Sequence, residues 1–176
     1  MSASNTVRLA MPAEAVDIAR IQRRAWGEHP LLAEGAASVR SDEAVQSWHE
    51  AIVKPPLAHC RVLVALAENN LVAGFAVTGP GGDPDAEPTD AEIAEFVVDA
   101  AQRGKGHGSR LLNAAVDTLR ADGFEVAHIW VPAANDALRA FLTGCGFAAD
   151  GAHQEIAMAE GAPSLKLVRL HAAITP

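Results

Sequence analysis

The sequence contains no tyrosine, and only 5% of its 176 residues are aromatic. Cysteine is scarce too, since Cys60 and Cys145 are too few for a disulfide framework and are typical of a reducing compartment. Basic residues are in the minority, with 14 Lys and Arg against 22 Asp and Glu, a formal net charge of −8. This balance argues against a nucleic-acid partner and suits a cationic substrate better.

Long hydrophobic runs and targeting signals are also missing. The apolar run 62–67 ends at Glu68 and is far too short to cross a bilayer. Residues 1–5 lack the basic and apolar regions of a signal peptide. Because 49% of the residues are hydrophobic and 20% are charged, the composition is that of one folded domain of this length. We therefore expect a single cytoplasmic domain over residues 1–176, without a membrane partner.

The spacing of apolar residues predicts an alternation of strands and helices. Strand-like runs occupy 7–11, 62–67, 71–77, 91–98 and 125–131, with two weaker ones between 153 and 170. Helical patterns begin near 13, 41, 108 and 135. Segments 26–37 and 79–90 are predicted to be irregular because glycine, proline or acidic residues are concentrated there. One mixed sheet with helices on its faces is the simplest architecture for this order.

A glycine-rich segment, Arg103-Gly104-Lys105-Gly106-His107-Gly108-Ser109, connects a predicted strand to a predicted helix. Alternating glycines let backbone N–H groups point into one concavity, and a helix N-terminus adds partial positive charge, so the segment suits a phosphate. Its spacing matches neither the P-loop nor the dinucleotide fingerprint. The glycines alone leave open a purely structural connection between strand and helix.

Two segments together resemble the GNAT superfamily of N-acetyltransferases. The sequence Arg103-x-x-Gly106-x-Gly108 is similar to the acetyl-CoA-binding motif of that family. Asn135, Phe141 and the pair Gly146-Phe147 stand at the spacing of its Asn-x-x-Ala-x-x-Phe-Tyr-x-x-x-Gly-Phe segment. The resemblance implies an α/β fold whose central mixed, mostly antiparallel sheet is flanked by helices and splayed between the fourth and fifth strands.

The resemblance also implies acetyl-CoA as co-substrate, with no metal. The pyrophosphate of CoA would lie against the glycine segment, on Arg103, Gly104, Lys105, Gly106, His107, Gly108 and Ser109. The pantetheine arm would pair with the fourth strand and contact Phe96, Val97, Val98, Asn135 and Phe141. The other partner would be an amine of a small molecule or peptide, and such proteins are often homodimers.

Two carboxylates precede the cofactor strand and are candidates for the catalytic base. Glu92 and Glu95 are three residues apart, so strand alternation predicts that they lie on opposite faces. The same alternation places Glu92 on one face with Ala94, Phe96 and Val98. Glu92 also lies eleven residues before Arg103, where the resemblance implies a catalytic glutamate. We favour Glu92 as the base, acting directly or through a water, with Glu95 in reserve.

The catalytic acid is harder to assign, because Leu142 occupies the position of the family's tyrosine. Thr143 or a water is an alternative proton donor. His128, which alternates with Val126 and Trp130, either faces the acceptor cleft or packs in the sheet. Cys145 would allow an acyl-enzyme, but no orienting base is evident beside it.

The sequence therefore predicts acetyl transfer from acetyl-CoA to a primary amine by direct attack in a ternary complex. An alternative is a CoA-binding sensor or interaction module with impaired catalysis, which the absent tyrosine favours. A third hypothesis is a binder of another phosphate-containing nucleotide. A metal site is not expected, because the seven histidines lack metal-ligand spacing.

Overall fold

Seven strands form one mixed sheet in a computed structural model that describes residues 6–157 and 159–176. The strands are β1 (Val7–Leu9), β2 (Arg61–Leu66), β3 (Val72–Pro80), β4 (Asp90–Val98), β5 (Val126–Pro132), β6 (Ala148–Ala157) and β7 (Ser164–Ala173). Their order across the sheet is β1-β2-β3-β4-β5-β7-β6. Only β4 and β5 run parallel among these pairs, so the predicted mixed, mostly antiparallel sheet is confirmed.

The helices are α1 (Ala15–Gly27), α2 (Pro30–Ser38), α3 (Ser41–Val53), α4 (His107–Ala121) and α5 (Asp136–Gly144). The prediction of an irregular segment at 26–37 was wrong, because α2 forms there. His29 caps this helix by accepting the N–H of Leu31 at 3.2 Å, and Pro30 occupies the first turn, where its missing N–H costs nothing. Proline and glycine therefore marked a helix start here.

Helices cover the two faces of the sheet unequally. On one face, called here the α4 face, α4 and α5 pack on a core from β2 to β7 that includes Leu111, Ile129 and Leu170. On the opposite α1 face, Ile18 and Ile21 of α1 pack on β2 and β3, with Trp48 of α3 at the edge. The helices of the α1 face thus reach only the N-terminal half of the sheet.

Candidate active site

The sheet opens between β4 and β5. These strands pair in parallel only at Asp90–Val126, Ala91–Ala127 and Glu92–His128. Beyond these positions, the two strands are not paired with each other. The rest of β5 continues its ladder with β7, while the rest of β4 stays paired with β3. A wedge therefore opens along β4 from Ile93 to Val98, and the predicted splay is confirmed.

A β-bulge at Ala94 corrects the prediction that Glu92 and Glu95 lie on opposite faces. Thr78 pairs with Ile93, but its neighbour Val77 pairs with Glu95, so Ala94 is an extra residue. A bulge of one residue reverses the alternation that follows it. Glu92 and Glu95 consequently share the α1 face. Phe96, expected beside Glu92, packs on the α4 face instead.

The backbone of β4 presents free groups to the wedge. The N–H of Asp99 donates to the carbonyl of Ala73 in β3 at 2.8 Å. Alternation along the strand then directs Val97 towards β3 and the N–H and C=O of Phe96 and Val98 towards the wedge. The side chain of Val97 packs against the α1-face core. Of the three predicted cofactor-strand residues, Phe96 and Val98 therefore direct backbone groups into the wedge, where the carbonyl of Val98 accepts a bond from Arg103.

An aromatic floor lines the wedge on the α4 face. The rings of Phe96 and Phe141 stack with centroids 6.0 Å apart. A Cβ placed on Gly108 would lie 3.5 Å from the ring of Phe141 and 3.8 Å from Val98. Phe96, Val98, Gly108 and Phe141, all predicted cofactor residues, are thus brought together. Asn135 is engaged at the start of α5, where its side-chain oxygen accepts the N–H of Leu138 at 3.1 Å.

The glycine loop continues from the wedge into α4. Gly104 and Gly106 have positive φ of 75° and 82°, a conformation that other residues adopt only with strain. The turn ends at Gly106, so α4 begins at His107 and its first N–H groups have no partner within the helix. His107 is buried, and burial, with Arg110 and Lys105 nearby, lowers its pKa. Gly104, Lys105, Gly106 and Ser109 are exposed.

Cationic side chains surround this loop. Arg103 donates to the carbonyl of Val98 at 3.3 Å and to Glu28 at 3.0 Å. Arg110 folds back onto the carbonyl of Lys105, and its buried Nε has no hydrogen-bond partner among the described residues. Helix N-terminal amides beside two guanidinium groups, one of them with an unpartnered nitrogen, suit a pyrophosphate.

Glu92 is half-buried at the end of the β4–β5 ladder, on the α1 face. Its carboxylate lies beside Gly82, where an added Cβ would be 3.5 Å from Oε1. Burial raises the pKa of Glu92, and Asp83 adds to this rise, whereas the N–H of Gly82 and His128 oppose it. A carboxylate whose pKa is raised towards neutrality is a better proton acceptor for an amine.

Glu95 lies further along the wedge in a different environment. Gln22 of α1 donates to it at 3.1 Å, and Trp48 of α3 donates to Gln22 at 3.0 Å. Burial raises the pKa of Glu95, and the bond from Gln22 opposes the rise. Its carboxylate is held by Gln22 of α1, which Trp48 of α3 bonds in turn, so Glu95 links these helices to β4.

Sequence reasoning missed a charged cluster on the α1 face of β5 and β7. Arg169 of β7, only 7% exposed, bonds to Asp83 at 2.9 Å, Asp85 at 2.7 Å and Asp150 at 2.6 Å. Trp130 donates to Asp83 at 3.0 Å. Segment 81–89, within the predicted acidic loop 79–90, is thereby fixed across this half of the sheet. The acidic composition of the loop and an arginine in the last predicted strand were the available signals.

Leu142, Thr143 and Cys145, considered above as proton donor or nucleophile positions, lie at the end of α5. Leu142 is 0% exposed, within the α4-face core, and Thr143 and Cys145 are exposed. Across residues 6–157 and 159–176, no group of three or more His, Cys, Asp or Glu is arranged to hold a metal ion. Over the same residues, no helix has both the length and the apolar character to cross a membrane.

Comparisons with known proteins agree with this geometry. The N-acetyltransferase of Staphylococcus aureus Mu50 is 22% identical, with 99% of this chain and 100% of that chain covered and a TM-score of 0.78. YncA of Salmonella typhimurium, solved with its cofactor acetyl-CoA, is 23% identical, with 97% and 94% covered and a TM-score of 0.74. PaiA N-acetyltransferase of Thermoplasma acidophilum, in complex with coenzyme A, is 13% identical, with 98% and 99% covered and a TM-score of 0.69.

No curated protein matches the sequence. The family model described as acetyltransferase (GNAT) family, however, matches residues 18–147. This range spans more than half of the chain and contains β4, the wedge, the glycine loop and α5. The chain therefore belongs to the GNAT family of acetyltransferases.

Proposed function

We propose that this protein transfers an acetyl group from acetyl-CoA to a primary amine of a small molecule or peptide. The observation that carries the proposal is the wedge beside β4, which leads directly into a glycine loop at the N-terminus of α4. An amide-bearing arm can pair with the free backbone of a strand as an added strand would. The family membership and the structures of YncA with acetyl-CoA and PaiA with coenzyme A support the same ligand.

The proposed cofactor contacts follow the geometry of the wedge. The N–H and C=O of Phe96 and Val98 would pair with the pantetheine arm, over the rings of Phe96 and Phe141. The pyrophosphate would lie on the amides of 104–109, and Arg103 would exchange Glu28 for a phosphate oxygen. Acetyl-CoA supplies the thioester. This chain would position the thioester and the amine and would transfer the protons.

The proposed reaction is direct attack of the amine on the thioester carbonyl in a ternary complex. An alkylammonium has a pKa of about 10, so it must first lose a proton, and Glu92 is the proposed acceptor. A strand N–H facing the wedge, at Phe96 or Val98, would stabilise the charge that develops on the thioester oxygen. Because a thiol has a pKa near 8.5, the thiolate leaves readily even without tyrosine.

One observation favours a second candidate, a CoA-binding sensor or interaction module without catalysis. Leu142, at the position of the family's tyrosine, is wholly buried in the core and can donate no proton. General acid catalysis is typically worth about 10²–10⁴-fold, so its loss would slow an enzyme greatly unless another donor replaced it. Turnover of an amine separates the two candidates.

The first test is a thermal-shift titration with acetyl-CoA, ATP and NAD in parallel. A specific ligand at about a hundred times its Kd stabilises the native state by roughly 2.7 kcal/mol. We expect a shift with acetyl-CoA alone. A shift with ATP or NAD but not acetyl-CoA would assign the loop to another nucleotide, and no shift at all would make it purely structural.

The second test compares wild-type protein with Glu92→Gln across a panel of primary amines. We expect the variant to lose about 10²–10⁴-fold in kcat with little change in the KM for acetyl-CoA. Glu87→Gln is the matched control, since Glu87 is exposed in the neighbouring loop. Equal turnover by Glu92→Gln and wild type would remove Glu92 from the mechanism. Binding of acetyl-CoA without turnover of any amine would support the module instead.

A further inference from the structure

His128 occupies the last paired position of β5 before the wedge, directly beside Glu92 of β4. Both side chains project from the α1 face, because their neighbours Ala91, Ala127 and Ile129 face the α4 core. The side chain of His128 is 15% exposed, so it is screened from bulk water while it lies next to the proposed base.

A small cavity joins the two residues. Its lining includes Glu92, His128, Asp83, Asp90 and Arg169, and its size is about that of one water molecule. The Nδ1 atom of His128 is buried and has no hydrogen-bond partner within the described part of the chain. Buried polar atoms are nearly always satisfied by protein or by ordered water. The cavity has room for one water, and both Glu92 and His128 line it.

Carboxylates flank the imidazole on both sides. Nε2 of His128 lies 3.6 Å from Asp90, and Nδ1 lies 3.8 Å from Asp150. The charged or titratable groups around the ring are, in chain order, Asp83, Asp85, Asp90, Glu92, Asp150, Arg169 and His171. Arg169 opposes a positive charge on the ring, but three carboxylates already bond to its guanidinium. Carboxylate oxygens therefore lie within reach of both ring nitrogens of His128.

We infer that His128 is a positioning residue that acts through Glu92, taking up through one water the proton that Glu92 removes from the acceptor amine. The inference rests on the proposed acetyl transfer. An ammonium gives one proton to Glu92, which passes it through the water to His128, so Glu92 is again a carboxylate. The neutral amine forms the new C–N bond, the C–S bond breaks, and the second amine proton goes to the thiolate. One proton remains on His128 and is lost to solvent.

The chain offers a matched control in His171. This histidine pairs with His128 across β5 and β7 and lies 3.6 Å from the same carboxylate, Asp150, but it is 41% exposed and does not line the cavity. A glutamine at either position keeps a polar side chain and cannot carry a proton. Thermal unfolding of His128→Gln and His171→Gln would establish that both fold.

The kinetic test is the pH profile of kcat/KM for an amine that wild-type protein acetylates. We expect His128→Gln to lower kcat by at least about tenfold and to move the acidic limb of the profile to lower pH, where Glu92 alone titrates. KM for acetyl-CoA and the whole profile of His171→Gln should match wild type. An unchanged acidic limb in His128→Gln, or the same change in His171→Gln, would overturn the inference.

A second measurement needs no turnover. Histidine side-chain NMR spectra of wild type and Glu92→Gln at one pH report whether the two groups share a site. We expect loss of the carboxylate to shift the ring resonances of His128 and to leave those of His171 unchanged. Unaltered His128 resonances would reject the coupling even if acetyl transfer were established. Conversely, coupling in a protein that acetylates no amine would reject the proposed function while retaining the pair.

Discussion

The single extra residue Ala94 decides the environment of both carboxylates on β4. The bulge turns Glu95 towards α1 and α3, where Gln22 bonds to it, and leaves Glu92 beside the cavity near His128. The two glutamates share a face but have different partners. Glu95 thus acts as a link between β4 and the helices, whereas no side-chain donor among the described residues bonds to Glu92.

Replacing Glu95 with Gln is expected to stabilise the protein at pH 7, because burying a charge is costly. An amide has no charge to desolvate and still accepts the bond from Gln22. Burial raises the pKa of Glu95 in the folded state. The ionised Glu95 therefore destabilises the fold increasingly as the pH rises from the unfolded-state pKa of about 4.3 through the folded-state pKa. Urea unfolding should therefore show the gain at pH 7 and little gain at pH 4.

The exposed carboxylate Glu43 of α3 provides the control for this experiment. Glu43→Gln should alter stability little at either pH, because exposed charge pairs contribute little. Destabilisation by Glu95→Gln at pH 7 would show that the charged form is required for the bond from Gln22.

The sequence was sufficient to single out these two glutamates but not to orient them. Strict alternation predicts opposite faces, and a bulge has no signature of its own in the residues Ile93-Ala94-Glu95. The role of the loop glycines was predictable because it depends on local backbone conformation, such as the positive φ of Gly106. Which face a side chain occupies depends on the pairing with β3, which is tertiary information.

At the scale of elements, the glycine loop sets where α4 begins and what its N-terminus can bind. Gly106→Ala is expected to destabilise the fold by about 1 kcal/mol, since φ is 82° there. The added Cβ would lie 3.1 Å from Arg110, so we also expect weaker binding of acetyl-CoA. Gly144→Ala, in α5 with nothing near its Cβ, should be neutral or stabilising. Thermal unfolding with and without acetyl-CoA measures the stability and the acetyl-CoA binding of each variant. Equal stability and equal binding in Gly106→Ala and Gly144→Ala would contradict a special role for the loop.

The sequence analysis missed the order of one segment and the presence of one helix, for different reasons. Segment 81–89 reads as an acidic loop, and its order comes from Arg169, which is 84 residues from Asp85. Helix α2 was missed because Pro30 and Gly35 were interpreted as breakers, although Pro30 stands where a helix tolerates it. Long amphipathic elements such as α4 were predicted correctly because their own periodicity is strong.

Charge is distributed over the whole molecule along the direction of β4. Cations gather at the glycine loop, including Arg103 and Lys105 and also Arg20 and Arg24, which pair with Asp99. Carboxylates gather at the opposite end of the wedge, around Glu92 and Arg169. A chain of net charge −8 thus keeps a positive region where a pyrophosphate would bind and a negative region where a cationic amine would approach.

Ion pairs between distant elements make stability depend on pH on the acidic side. Arg61 of β2 bonds to Asp122 at the end of α4 at 2.7 Å and 2.9 Å, and this bond lowers the pKa of Asp122. Its stabilisation is therefore complete above the unfolded value of about 3.9 and is lost as pH falls through the folded one. Asp122→Asn should cost about 1–3 kcal/mol at pH 7 and progressively less towards pH 2. Urea unfolding of wild type and Asp122→Asn between pH 7 and pH 2 tests this prediction, with Asp117→Asn at an exposed position as control. An equal loss of stability at pH 7 and pH 2 would show that packing, not charge, holds α4 to β2.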